Sequence, residues 1–280
     1  MYVVLAIIGY PVAMALIFVA LPLQALLLVL TAPFDRNRRI PGRFLRIVGV
    51  LIAATFPPWR LRVEGRWPGK GPYVVVANHQ SILDILMLSR LPREMKWVAK
   101  ESLFKVPWVG WMLRMSGDIP IRRGDAESGG EALGRAKEYL ARGMNVMMFP
   151  EGTRSAKGTL LPFKSGAFRL ALEAGVPVLP VAVHGTAEGM PKGGPWVRPC
   201  RAFARILEPV ETAGRGVETT VALRDEVRRR IAAELPAERE RAAADRRAKG
   251  QPDEAAPERA GGSGGREPKA SVPPSGGQHA

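Results

Sequence analysis

From Met1 to Phe34 no side chain ionises near neutral pH, and the first charge is Asp35. As one helix this stretch would run about 50 Å, whereas the hydrocarbon core of a bilayer is about 30 Å thick. Pro11 and Pro22 lie inside it. Because proline removes a backbone donor and crowds the preceding turn, the stretch is expected either as a kinked span near Val12–Thr31 or as a shallow helical hairpin. A secretory signal fits poorly, because the basic leading region and the small-residue cleavage site are both missing. A helix buried in a soluble core is the remaining alternative, but 34 residues with no polar face are hard to hide in a domain of this size.

Arg36, Arg38, Arg39, Arg43 and Arg46 follow at once. Cations flanking an apolar span mark the cytoplasmic side and attract anionic headgroups. The next apolar run, Ile47–Pro57, is about 16 Å long as a helix, too short to cross. It reads as a helix lying in the cytoplasmic leaflet or as the first helix of the soluble domain. From Pro236 onward Ala, Glu, Arg, Gly, Pro and Ser dominate, with GGSGG at 261–265. Such a tail buries too little apolar area to offset ordering entropy and is expected to be disordered. The chain thus divides into a membrane-anchoring segment (1–59), a folded domain (60–235) and a tail (236–280).

Between 60 and 235, short apolar runs alternate with helix-length segments. Tyr73–Ala77, Lys96–Ala99, Asp118–Arg122, Asn145–Phe149, Pro177–His184 and Ala202–Leu207 read as strands. Ser81–Leu91, Glu101–Met115, Glu127–Arg142, Ser165–Ala174 and Val217–Glu234 read as helices. Continuous β-branched runs such as YVVVA suit strands buried on both faces, so the expected fold is α/β with a mixed, mostly parallel sheet flanked by helices. Functional side chains in such folds gather where strands give way to loops.

Three strand ends are unusually polar. After YVVVA comes NHQSILD (78–84), in which Ser81 and Asp84 fit a capping box. That cap would turn the chain enough for Asp84 to reach His79 and leave the other ring nitrogen as a base. Equally, Asp84 could only cap the helix and His79 be a satisfied turn residue. After NVMM comes FPEGTRS (149–155), a sharp Pro/Gly exit carrying Arg154, whose planar fork matches phosphate oxygens. The third is GDIPIRR (117–123), and Lys100 closes a fourth run.

NHQSILD resembles the NHx4D signature, and FPEGTRS the matching block, of the glycerolipid acyltransferases. GDIPIRR (117–123) and VPVLPVAVHGT (176–186) resemble the remaining blocks, so the similarity runs in order over about 70–186. The resemblance implies acyl transfer from an acyl-CoA or acyl-ACP thioester to the sn-2 hydroxyl of 1-acyl-glycerol-3-phosphate (lysophosphatidic acid). His79 would be the general base and Asp84 its orienting partner. Arg123 and Arg154 would hold the acceptor phosphate, with Glu151, Gly152, Thr153 and Lys100 as further substrate-binding residues. It implies no cofactor beyond the thioester co-substrate, and an inner-membrane site with the catalytic domain facing the cytoplasm among membrane lipids. Pro120 and Arg122 depart from the usual second block, which leaves another lysolipid, such as a lyso-ornithine lipid or a lysophospholipid under remodelling, as an alternative acceptor.

Composition narrows the other classes. The chain has 41 Lys+Arg against 26 Asp+Glu, a formal charge of +15, which by itself would also suit a membrane-anchored nucleic-acid binder. No binding motif for nucleic acid is present, and the basic residues cluster beside the apolar start. No nucleic-acid partner is therefore expected. One cysteine, Cys200, and three histidines, His79, His184 and His279, exclude a disulfide framework and leave no clustered metal ligands. An acyl-enzyme route would need Cys200 or a G-x-S-x-G elbow, and no such elbow occurs. His184 has no acid close in sequence, and His279 lies in the tail.

Overall fold

The computed structural model describes residues 2–69, 71–155, 159–194, 197–236 and 240; for residues 2–5 it describes the backbone alone. The expected disordered tail falls almost entirely outside these residues. Met1–Ala242 forms one compact unit.

Among the described residues seven strands make one sheet: β1 (Trp59–Glu64), β2 (Val74–Ala77), β3 (Met95–Lys100), β4 (Ile119–Ile121), β5 (Asn145–Met148), β6 (Val178–His184) and β7 (Cys200–Ile206). Their order is β1-β7-β6-β2-β5-β3-β4. β6, β2, β5, β3 and β4 run parallel. β7 is antiparallel to β6 and parallel to β1, so two reversed strands close one edge. The sheet is mixed and mostly parallel, as expected. Along β2 every residue is buried, and alternate side chains enter opposite cores. Val75 and Ala77 pack with α3 (Leu83–Leu88) and β7. Val74 and Val76 pack with α5 (Ala126–Ala141), α6 (Gly166–Ala174) and α8 (Thr220–Glu234).

Several boundaries differ from the expectation. β1 was not anticipated, because WRLRVE alternates like a surface strand and its partner lies about 140 residues on. The helix expected over Glu101–Met115 is a 3₁₀ turn, Glu101–Lys105, followed by α4 (Val109–Ser116). Pro107 interrupts it, and Trp108 stands between the pieces at φ 60° and ψ −60°. With the Val109 N–H donating to the Pro107 carbonyl at 2.7 Å, Trp108 centres a classic γ-turn.

The N-terminal segment is not a hairpin. α1 (Tyr2–Thr31) is one continuous helix with both prolines inside, about 45 Å long. It is long and apolar enough to cross a membrane, and only 17% of its most apolar window is buried. α2 (Arg39–Ala54) absorbs most of the basic stretch and the apolar run after it. Asp35 caps α2, its two oxygens accepting from the Arg39 and Ile40 N–H groups at 2.8 and 2.7 Å. Arg46 does not face headgroups. It is buried against Asp118, whose other oxygen accepts from the Trp97 N–H at 2.9 Å. Gln24 ties α1 to the rest: fully buried, it donates to the Pro41 carbonyl (3.0 Å), the Met112 carbonyl (3.1 Å) and Ser116 Oγ (2.9 Å).

Candidate active site

The polar strand ends converge on the carboxyl edge of the parallel strands. Asn78 continues β2 by exchanging two bonds with the backbone of β6: its amide donates to the Val183 carbonyl at 2.8 Å and its oxygen accepts the Val183 N–H at 2.7 Å. The chain then turns at His79 before α3 begins.

At that turn the two readings of Asp84 are both realised. Its Oδ2 accepts from the Gln80 N–H (2.7 Å) and the Ser81 N–H (2.9 Å), the return half of a capping box. Ser81 Oγ supplies the other half by accepting the Leu83 N–H at 3.2 Å. The same Oδ2 lies 2.7 Å from His79 Nδ1. Its remaining oxygen accepts the hydroxyl of Thr186, at the start of the short helix α7 (Thr186–Gly189). Asp84 has no exposed surface. A fully buried carboxylate needs such partners, and here four donors satisfy it. With Nδ1–H donating to Asp84, the tautomer is set, and Nε2 has no hydrogen-bond partner among the described residues. The imidazole is further held by stacking on Phe149, ring centroids 4.0 Å apart, with Trp97 edge-on behind it.

The β5 exit closes over this turn. The Ser155 N–H donates to the His79 carbonyl at 2.8 Å, and the His79 N–H donates to Glu151 Oε1 at 3.1 Å. The resemblance implies acceptor binding for Glu151, yet its carboxyl points inward and is only 5% exposed. Burial pushes it up to about 8, opposed by the His79 N–H and reinforced by the Asp84 charge. Its protonated form is thereby favoured. Gly152 takes φ +68°, a region that favours glycine, and the side chain of Lys164 crosses close above it.

Arg123 and Arg154 carry no ion pair among the described residues. Burial first, and the Arg154 charge second, lower the pKa of Arg123. Arg122 is otherwise engaged, with Asp125 at 2.9 Å and Glu101 at 3.5 Å, so of the two adjacent arginines only Arg123 is available. Lys192, which sequence reading passed over, donates to the Arg154 carbonyl at 2.9 Å and reaches Thr153 Oγ1 at 3.5 Å. Lys100 is exposed at the end of β3, in register with Ile121 just before these arginines. Thr186, Lys164 and Lys192 come from distant segments, and no local spacing points to them. His184 lies beside Phe203, away from any acid in the hydrogen-bond network, and Cys200 is buried with its thiol pushed up to about 11 by burial.

Comparison with known proteins bears on the family and the fold. The family model described as Acyltransferase matches residues 60–184. The chain is 40% identical to a chloroplastic 1-acyl-sn-glycerol-3-phosphate acyltransferase of Brassica napus over 57% of its own length and 47% of that protein. It is 37% identical to the Mus musculus 1-acyl-sn-glycerol-3-phosphate acyltransferase alpha over 69% of this chain and 70% of the relative. The chain spans about half the length of the plant and yeast relatives it matches. Among solved structures, the 1-acyl-sn-glycerophosphate acyltransferase PlsC of Thermotoga maritima superimposes with a TM-score of 0.65 at 30% identity, covering 82% of this chain and 94% of that one. A shared core over 94% of a solved relative, with the His–Asp turn and cationic rim in ordered blocks, places the chain in the acyltransferase family.

Proposed function

We propose that the chain moves a fatty acyl group from an acyl-CoA or acyl-ACP thioester to the sn-2 hydroxyl of 1-acyl-glycerol-3-phosphate, giving phosphatidic acid. The observation that carries the reading is the His79 Nδ1–Asp84 contact at 2.7 Å, which leaves Nε2 as a base beside unpaired guanidinium groups. An alcohol is a weak nucleophile at neutral pH. Nε2 takes its proton as the oxygen attacks the thioester carbon, the C–S bond breaks, and the proton passes to the departing thiolate. Asp84 stabilises the imidazolium formed in between, as in hydrolase triads, with the substrate hydroxyl in place of an enzyme serine. No acyl-enzyme is needed. Such base catalysis contributes about 10²–10⁴ in rate.

Arg123 and Arg154 bind the acceptor phosphate, with Lys192 and Lys100 adding positive potential. The neutral state of Glu151 removes one negative charge that would oppose that anion. α1 lies in the inner membrane with the catalytic domain on the cytoplasmic face, supported by its exposed apolar surface and the arginines that follow it. The relatives' names support the acceptor.

The test is thiol release by the full chain in detergent–lipid micelles, with acyl-CoA or acyl-ACP and a panel of lysolipids. Arg154→Ala should raise the KM for 1-acyl-glycerol-3-phosphate by about tenfold or more, as for loss of a charged hydrogen bond. His79→Ala should abolish turnover while acceptor binding persists. Unchanged acceptor kinetics in Arg154→Ala would end the phosphate assignment, and a trapped acyl-protein adduct would end the direct-transfer mechanism.

A further inference from the structure

A second cationic recess lies on the far side of the sheet's β4 edge. β4 is the outermost strand, three strand spacings from β2 and hence about 14 Å from the strand that carries His79. The recess is a groove of about 480 Å³ in which none of the acyl-transfer residues takes part. Its cations are Arg36, Arg38, Lys105, Arg114, Arg135 and Arg142, and Tyr139 shares the lining with them. Arg142 lies over the Tyr139 ring at 4.9 Å. Arg38 donates to the Arg114 carbonyl at 2.6 Å, so it is fixed at the mouth rather than free in solvent. Burial raises the Tyr139 pKa, opposed by the charges of Arg38, Arg142 and Arg135.

Acidic groups do not balance this charge. Of the two that line the groove, Asp118 is consumed by buried Arg46 and Glu101 by Lys105 and Arg122. Arg36, Arg38, Arg114 and Arg135 have no carboxylate partner among the described residues. Solvated arginines on an ordinary surface are interspersed with acids; these four surround a concavity.

What surrounds the groove identifies its ligand. Arg36 and Arg38 sit just beyond the end of α1, and Arg114 is on α4, which Gln24 of α1 grips through the Met112 carbonyl and Ser116 Oγ. Trp111, 52% exposed, is three residues before Arg114 and so its neighbour on the α4 surface. Trp108 and Val106 extend the exposed apolar surface, and the γ-turn at Trp108 holds an indole outward in a backbone conformation that side chains rarely adopt. Tryptophan beside cations at the foot of an apolar helix is the composition of a membrane interface.

We infer that this groove is a second lipid site, which binds the phosphate headgroup of an anionic phospholipid while its acyl chains lie along the apolar surface of α1 and α4. It rests on the membrane placement of α1 proposed above but not on the acyl-transfer reaction. The phosphate enters between Arg114 and Arg135, and Trp111 covers the glycerol end. A lipid held there connects the bilayer surface to the open edge of the sheet.

The experiment is native mass spectrometry of the full chain in neutral detergent, titrated with phosphatidylglycerol, with phosphatidylcholine, or with phosphatidylglycerol plus excess inorganic phosphate. One phosphatidylglycerol should be retained in preference to phosphatidylcholine. The double variant Arg114→Gln, Arg135→Gln should weaken retention by about 30-fold, at roughly fivefold per cation near the lipid. The equal-charge control Arg60→Gln, Arg62→Gln, on exposed positions of β1, should change it by less than about threefold. Arg154→Gln should leave retention intact, which separates this groove from the acceptor site, and the groove variant should keep its turnover rate. Equal retention of phosphatidylcholine, loss of retention in Arg154→Gln alone, or unaltered retention in the groove variant would overturn the proposal. Displacement by the excess inorganic phosphate would also overturn it, by showing a free-phosphate site.

Discussion

Replacing Glu151 by glutamine should flatten the alkaline side of the stability profile. Burial moves this carboxyl from 4.5 to about 8. Between those values the native chain holds a proton that the unfolded chain has released, so rising pH favours unfolding. The associated stability is therefore whole below pH 4.5 and is lost progressively as pH climbs to about 8. At about 1.4 kcal/mol per pH unit the loss across the window is roughly 5 kcal/mol. One kcal/mol shifts the midpoint of a chain of this size by about 2–4 °C, so the difference reaches roughly 10–20 °C. Glutamine keeps the oxygen that accepts the His79 N–H at 3.1 Å and has no proton to lose. Glu94, raised to about 7 by burial, titrates in both proteins and cancels in the comparison. The assay is thermal unfolding of both detergent-solubilised proteins from about pH 5 to about pH 9. The wild type should fall away from Glu151→Gln as pH rises. Parallel curves would refute the reasoning, since they would mean that the carboxyl ionises in its ordinary range.

Thr186→Val removes the hydroxyl that donates to Asp84, stranding one buried carboxylate oxygen. It should lower stability by about 1–3 kcal/mol and slow kcat with the acceptor KM unchanged, and Thr186→Ser should restore both. Asp118→Asn leaves Arg46 buried without its counter-charge and should cost about 3–5 kcal/mol, read as a lower denaturation midpoint. Cys200, buried and with its thiol pushed up to about 11, should resist alkylation in the native protein at mildly alkaline pH and react at once on unfolding. At Trp108 the usual order should invert: Trp108→Gly should be more stable than Trp108→Ala by about 1 kcal/mol or more, because only glycine takes φ 60° there without strain.

The His79–Asp84 turn was readable because it is local. Ser81 and Asp84 cap a helix across three residues, and the geometry of that cap delivers Asp84 to His79. The buried strands β2, β5 and β6 were readable for a related reason, since short continuous apolar runs, β-branched in β2 and much of β6, have few other uses. What escaped depends on chain segments brought together from afar. Thr186 meets Asp84 across about a hundred residues, and Lys192 meets the Arg154 loop across 38. β1 is defined by pairing with β7, not by its own alternating pattern. Arg46 looked like one of five headgroup cations because no spacing reveals that Asp118 takes it inside. Proline in α1 misled in the opposite direction: Pro11 and Pro22 do not break the helix, since neighbouring structure and apolar surroundings tolerate them.

The buried amide of Gln24 has a mechanical consequence. A helix joined to its domain by greasy contacts alone could swivel about its long axis, since one hydrocarbon face is as good as another. Its three donor contacts allow only one azimuth, because a rotation of even one residue, about 100°, would strand a polar group in lipid. The anchor therefore acts as a keyed shaft rather than a tether. With α1 in the bilayer as proposed, the height and tilt of the proposed catalytic cleft above the leaflet are set when the chain folds, and substrates travel to a stationary opening.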